Sequence, residues 1–337
     1  MTELAPEVQE LIGRTGVMMQ RVAAAGPMGG GTLDAMRAAA LEAVDEIFAA
    51  AGGVERPVHR EADHVIPVGD LEITARSYTP DVPGPLPGVV MIHGGAWSLG
   101  SIDWPTFRAF SRELAERVPC VLLDVEYHLA PEFLFPQPVE DCYAALVWFH
   151  EHASELGVDP ERIGISGNSA GADMATATCM LARDRGGPMP VLQLLEIPAL
   201  DHVNFEAYPS ASEYGTGYTL ELEAMVGASQ AYFADPADAS NPLASPLLAE
   251  DLSGLPPTHI MTAEFDLLRD CGEAYGVRLA DAGVDVTVSR QPGHTHGSSI
   301  LLHPRWEGAR TWRDEVVRVL QQALAAPAAE PVSSAKA

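Results

Sequence analysis

Lysine is nearly missing from this chain: of 337 residues only Lys336, in the C-terminal run "AAPAAEPVSSAKA", is one. A lysine in such a stretch is not held in place for chemistry. That excludes a P-loop lysine for "GPMGGGT" (26–32), a Schiff-base lysine and an S-x-x-K nucleophile–base pair, and the glycine run reads instead as a flexible joint. A dinucleotide fingerprint is also missing, because Ser166 takes the second glycine position of a G-x-G-x-x-G counted from Gly164. Positive charge is scarce altogether: 20 Lys and Arg face 47 Asp and Glu, a net charge of -27. Such a balance opposes binding to nucleic acid or an anionic membrane, both of which require clustered cations. The 4 cysteines, Cys120, Cys142, Cys179 and Cys271, lie far apart in apolar segments without C-x-x-C spacing and read as buried thiols. No basic, apolar leader precedes "MTELAPEVQELIG", and no apolar run approaches the roughly 20 residues that cross a bilayer. The expectation is a cytoplasmic protein.

What is present is an alternation. Short apolar or period-two runs near 57–66, 71–78, 88–93, 119–126, 162–166, 191–197, 258–263 and 284–289 predict eight strands. Apolar residues at three- and four-residue spacing between the later ones predict helices over 106–118, 139–156, 267–282 and 306–324. After an opening hairpin, this order implies a mostly parallel sheet with helices on both faces, an α/β fold. Two segments fall outside the alternation: a helical start and the aromatic, Pro- and Gly-containing stretch 202–246, with one helical pattern at Leu220–Phe233. The division expected is 1–55 as the first part of a cap, 56–200 and 247–326 as core, 201–246 as the second cap segment and 327–337 as a disordered tail.

Within "RIGISGNSAGADMA" (162–175), Gly167 and Gly171 flank Asn168, Ser169 and Ala170 in a G-x-S-x-G pattern directly after an apolar run. The pattern suits a sharp strand-to-helix turn that exposes the serine hydroxyl, a nucleophile elbow. Taken alone it equally describes a Gly/Ser turn. A nucleophilic serine needs a base, a carboxylate to orient that base, and backbone donors for the oxyanion. Each has a candidate. Asp266 follows the seventh predicted strand, with Glu264 and Asp270 as neighbours able to replace it, and His294 and His296 follow the last strand. "VVMIHGGAWSLG" puts His93, Gly94 and Gly95 after the third, where bare N–H groups of Gly94 and Gly95 can converge with that of Ala170.

Together the stretches "HGGAW", "DVEYHLAPEFLFPQPVEDCYAAL", "GNSAG", "SPLL", "AEFDLLRD" and "HTHG" resemble the motifs of the hormone-sensitive-lipase-like family of α/β-hydrolase esterases, over residues from about 85 to 300. The resemblance implies an eight-stranded α/β-hydrolase sheet with a helical cap and ester hydrolysis without cofactor or metal. It assigns Ser169 as nucleophile, Asp266 as acid, His296 as base, Gly94, Gly95 and Ala170 as oxyanion donors, and His93 as a brace for the glycine loop. Four positions depart from the family: Ala96 for the third glycine of H-G-G-G, Asn168 for a frequent aspartate, Ser298 for the phenylalanine after H-G, and His128 for the arginine of Y-R-L-A-P-E.

The resemblance implies a small, short-chain acyl ester as substrate, without naming it, and a homodimer is compatible with it. Trp97, Asn168 and Tyr218 are the candidate substrate contacts. Phe205, Tyr208, Tyr214 and Tyr232 join Trp97 and Tyr218 as aromatics for a pocket or for the core of the cap. The same triad also suits an amide, carbamate or lactone. A non-catalytic binding protein on this fold is the other alternative, and the presence of His296 argues against it.

Overall fold

The computed structural model describes residues 3–54 and 57–325; the expected tail from 327 onward lies outside them. Helices α1 (Pro6–Ala25) and α2 (Leu33–Ala50) form an antiparallel pair. The glycine run between them is a tight turn rather than an open joint. Gly29 and Gly31 both donate to the carbonyl of Gly26, and Thr32 caps α2 by accepting from Ala35 N at 3.1 Å.

The sheet begins with the hairpin β1 (Arg60–Val68) and β2 (Leu71–Thr79), followed by β3 (Leu86–Ile92), α3 (Pro105–Arg117) and β4 (Val121–Glu126). Then come α4 (Gln137–Glu151), the short α5 (Ala153–Leu156), β5 (Val158–Asn168), α6 (Ala170–Arg185) and β6 (Gln193–Glu196). The segment that follows carries α7 (Pro209–Tyr214) and α8 (Leu222–Tyr232). The chain closes with β7 (Thr258–Phe265), α9 (Arg269–Asp281), β8 (Val286–Thr295), the short α10 (Ser298–Leu301) and α11 (Glu307–Ala323).

The eight strands form one sheet in the order β1-β2-β4-β3-β5-β6-β7-β8. β1 and β2, and β2 and β4, run antiparallel, and every other neighbouring pair is parallel. β3 is buried at all seven positions, as a strand covered on both faces must be. Its side chains alternate between two apolar clusters: Val89 and Met91 belong to the one that includes Phe110 and Leu114 of α3 and Trp312 and Leu320 of α11, while Val90 and Ile92 belong to the one that includes residues of α4 and α6. β8 is longer than its sequence pattern, running through Pro292 to Thr295. An edge strand with one neighbour tolerates a proline whose missing N–H has no ladder partner to satisfy. No helix among the described residues is long and apolar enough to cross a membrane, and the four cysteines are buried and unpaired.

Both outlying segments reach the carboxyl ends of the strands. From α2, Arg37 donates to Ser98 O at 3.2 Å and Ala130 O at 3.1 Å and forms a two-point ion pair with Glu132 at 2.7 Å. From the segment between β6 and β7, Thr219 Oγ1 donates to His296 O at 2.8 Å.

The core also holds Asp124 on β4, whose two oxygens accept from Ser111 Oγ at 2.9 and 2.8 Å. Burial pushes its carboxyl up to about 8, so the folded protein holds a proton there that the unfolded chain releases near pH 4. The resulting stabilisation is complete below that pH and is lost as pH rises through 8. Asp124→Asn is therefore expected to flatten the fall in denaturation midpoint between pH 5 and pH 8, measured beside wild type; equal slopes would show that Asp124 is not protonated in the folded state.

Candidate active site

Ser169 sits between β5 and α6 in a conformation that L-residues rarely adopt, φ 55 and ψ -122. The turn is possible because strand and helix backbones come closer than a side chain allows. A Cβ at Gly171 would lie 2.2 Å from Ile92 O and 2.6 Å from His93 O. Ser169 N donates to Glu196 O at 2.9 Å, which fixes the elbow to β6.

Two neighbouring parallel strands deliver the partners. Asp266 follows the last residue of β7, and His296 the last residue of β8. His296 Nε2 lies 3.0 Å from Ser169 Oγ and His296 Nδ1 lies 2.8 Å from Asp266 Oδ2. The Asp266 side chain is 1% exposed and that of His296 15%, so the carboxylate is enclosed and the imidazole reaches the surface of the site. Asp266 Oδ1 accepts from Leu268 N at 3.0 Å, leaving the other oxygen to the histidine.

The neighbouring candidates have other employment. Glu264 accepts from Gly293 N at 2.7 Å. Asp270 pairs with Arg269 at 2.7 Å and accepts from Ser210 N at 2.8 Å. His294 is buried between Trp306 and Trp312, with ring centroids 4.4 and 4.8 Å away, and its Nδ1 lies 2.8 Å from Ser298 Oγ. Desolvation holds its pKa down at about 4. Ser298, smaller than the family's phenylalanine, thus supplies the Nδ1 partner of His294, which also hydrogen-bonds the Gly308 backbone. His128 and its own N–H both reach Asp141 Oδ2 at 2.8 Å, so the substituted loop remains anchored.

After β3 the chain turns over the elbow. His93 stacks on Tyr127 at 4.3 Å, its Nδ1 lies 2.9 Å from Gly94 O, and Tyr127 Oη donates to His93 O at 2.9 Å. Burial keeps its imidazole neutral, with a pKa near 4. Gly95 takes φ 139, where a Cβ would lie 2.0 Å from Leu99 O. Among the described residues, no protein acceptor binds the N–H of Gly95 or of Ala170. Gly94 differs: its N–H donates to Asn168 Oδ1 at 2.8 Å.

One of the expected substrate contacts, Trp97, is corrected by its burial. Asn168 commits its amide oxygen to the loop backbone. Trp97 is 0% exposed, with its indole N–H donating to Asp173 Oδ2 at 3.2 Å and its ring stacked on Tyr232 at 5.3 Å. Phe205 and Tyr232 are likewise buried, so these aromatics are cap core. Tyr218 is half-buried and stacks on Phe265, the residue before Asp266, at 6.0 Å. Sequence reasoning missed Asp173, although a lone carboxylate in the otherwise Ala- and Met-rich start of α6 was a signal of a buried acid. It also missed Thr219, which nothing local distinguishes.

The geometry agrees with what the chain is similar to. Residues 89–299 match a family model described as alpha/beta hydrolase fold. An arylesterase of Saccharolobus solfataricus is 41% identical over 252 residues, 74% of this chain and 79% of that protein. The carboxylic ester hydrolase LipN of Mycobacterium tuberculosis is 43% identical over 269 residues, 78% and 70% of the two. The solved structure of a hyperthermophilic esterase from the archaeon Pyrobaculum calidifontis superposes with a TM-score of 0.84 at 34% identity, covering 96% of this chain and all of that one. The chain belongs to the hormone-sensitive-lipase-like family of α/β-hydrolases. Its activity is that of a carboxylic ester hydrolase.

Ala96, where the family has a third glycine, takes φ 52, and Trp97 after it takes φ 58. A left-handed alanine costs about 1 kcal/mol. Ala96→Gly is expected to raise the thermal denaturation midpoint; a midpoint at or below that of wild type would show that the turn stores no strain at this residue.

Proposed function

We propose that Ser169, His296 and Asp266 act as nucleophile, base and orienting acid in the hydrolysis of short-chain acyl esters. The observation that carries this reading is the unbroken hydrogen-bond chain Asp266–His296–Ser169, at 2.8 and 3.0 Å, in which both imidazole nitrogens are used. Ser169 Oγ attacks the ester carbonyl while its proton passes to His296 Nε2. Asp266 accepts a hydrogen bond from the Nδ1–H, stays ionised and stabilises the imidazolium that forms. The carbonyl electron pair becomes an oxyanion, which the N–H groups of Gly95 and Ala170 bind, each worth about 3 kcal/mol in the transition state. Collapse expels the alcohol, which takes the proton from His296. Water then repeats the attack on the acyl-enzyme, His296 again serving as base, and releases the carboxylic acid. Gly94, its N–H held by Asn168, sets the loop over the elbow.

Short acyl groups are favoured because the aromatics able to open a long channel, Trp97, Phe205 and Tyr232, are packed solid, at 0%, 4% and 0% exposure. Hydrolysis of p-nitrophenyl acetate, butyrate and decanoate tests both parts. The two shorter esters are expected to turn over well and decanoate poorly, and Ser169→Ala is expected to lower kcat on the order of 10⁶-fold. Retained activity in that variant would remove Ser169 from the mechanism, and a preference for decanoate would overturn the chain-length assignment. Asp266→Asn is expected to lower kcat by about 10⁴-fold, because the amide favours the wrong imidazole tautomer; a loss under tenfold would show that another carboxylate orients His296.

A further inference from the structure

Asp173 is not used by the chemistry above, yet it lies one turn from the nucleophile: its N–H donates to Ser169 O at 3.3 Å. Its carboxyl is 0% exposed. One donor reaches it, Trp97 Nε1 at 3.2 Å, and its Oδ1 has no partner among the described residues. The cap residue His202 places Nε2 3.7 Å from Oδ2 and is itself fully buried, with Nδ1 on Ser229 Oγ at 2.7 Å. Desolvation pushes the Asp173 carboxyl well above the carboxylate range and holds His202 down near 3, so the two are neutral together rather than an ion pair. An acid kept in apolar surroundings with one hydrogen bond is a net cost to stability, and a hydrophobic residue of similar size would pack there more favourably. That single bond is therefore the feature to explain.

Its partner, Trp97, is the second of two consecutive left-handed non-glycine residues, Ala96 at φ 52 and Trp97 at φ 58. Such backbone persists only where the surroundings over-determine it. The indole is held by the hydrogen bond from one side and by the cap rings of His202 and Tyr232, 4.3 and 5.3 Å away, from the other. Trp97 O in turn accepts from Ala130 N at 2.9 Å. The two proposed oxyanion donors sit on different pieces of chain: Gly95 on the loop after β3, Ala170 on α6. Trp97 belongs to the loop and Asp173 to the helix.

We propose that Asp173 is a positioning residue for the oxyanion hole: by holding the Trp97 indole it ties the loop that carries Gly95 to the helix that carries Ala170. The inference rests on the hydrolase reading above. Asparagine keeps a carbonyl oxygen for the indole N–H, whereas leucine keeps bulk and loses the acceptor. Trp97→Phe removes the donor from the other end and retains an aromatic ring for the socket.

The test measures kcat and KM on p-nitrophenyl butyrate for Asp173→Leu, Asp173→Asn and Trp97→Phe, with Ser169→Ala beside them. It also measures the inhibition constant of a trifluoromethyl ketone. Addition of Ser169 Oγ to that ketone turns its C=O pair into an alkoxide lodged where the ester oxyanion would be, with the serine proton left on His296. Asp173→Leu and Trp97→Phe are expected to lower kcat by about 10–100-fold, the scale of a small misplacement. They should weaken the ketone by a similar factor and leave KM within about twofold. Asp173→Asn should restore most of both. Should Asp173→Leu fail to fold, Trp97→Phe decides. Folded variants whose kcat and ketone affinity match wild type overturn the inference, as does a loss confined to KM. Wild-type turnover that survives Ser169→Ala overturns the hydrolase reading and this role with it; Ser169-dependent turnover with unchanged Trp97→Phe overturns this role alone.

Discussion

The close approach of backbone to backbone at the elbow is the constraint on which the rest depends. Because a Cβ on Gly171 would lie 2.2 Å from Ile92 O, β3, β5 and α6 meet in a corner that admits no side chain there. Ser169 at φ 55 is its apex. A strained residue holds its conformation only when its neighbours leave no alternative. Here they are a buried parallel sheet on one side and a helix on the other. The serine hydroxyl gains its exposure from that corner, and the loop after β3 gains a fixed platform on which to set its amide groups.

Around this corner, polar contacts are few and specific. Asn168 reaches the loop, Glu196 O reaches the serine amide, and Thr219 reaches the histidine carbonyl. Each joins two elements far apart in sequence, and each ends on a backbone group, so the arrangement of the main chain is what they specify. Two departures from the family pattern make side-chain pairs instead. Ser298 pairs with His294, and His128 with Asp141, so each replaced side chain has a hydrogen-bond partner inside the fold.

The fold was legible because its signals are local. Period-two runs and three- to four-residue stripes are properties of neighbouring residues, so eight strands and the helices between them could be read directly; the choice of Asp266 and His296 over their neighbours came from the family resemblance instead. The extension of β8 through Pro292 was not, since its tolerance depends on the strand being at an edge. The burial of Trp97 was not either: an indole after a glycine loop reads as a pocket wall. Its acceptor on α6 and its stacking partners in the cap are 76 residues and more than a hundred residues away. Local pattern reports which face of an element is apolar; it does not report which other element will cover that face.

The edge position of β8 has a consequence for how the protein ages and fails. His296 is carried at the end of a strand with β7 as its one neighbour, whereas Ser169 and the amides of Gly95 and Ala170 are rooted in the middle of the sheet. Marginal regions of a structure open well before its centre does. On the proposed mechanism, warming or mild denaturant is expected to separate His296 from Ser169 before the core opens.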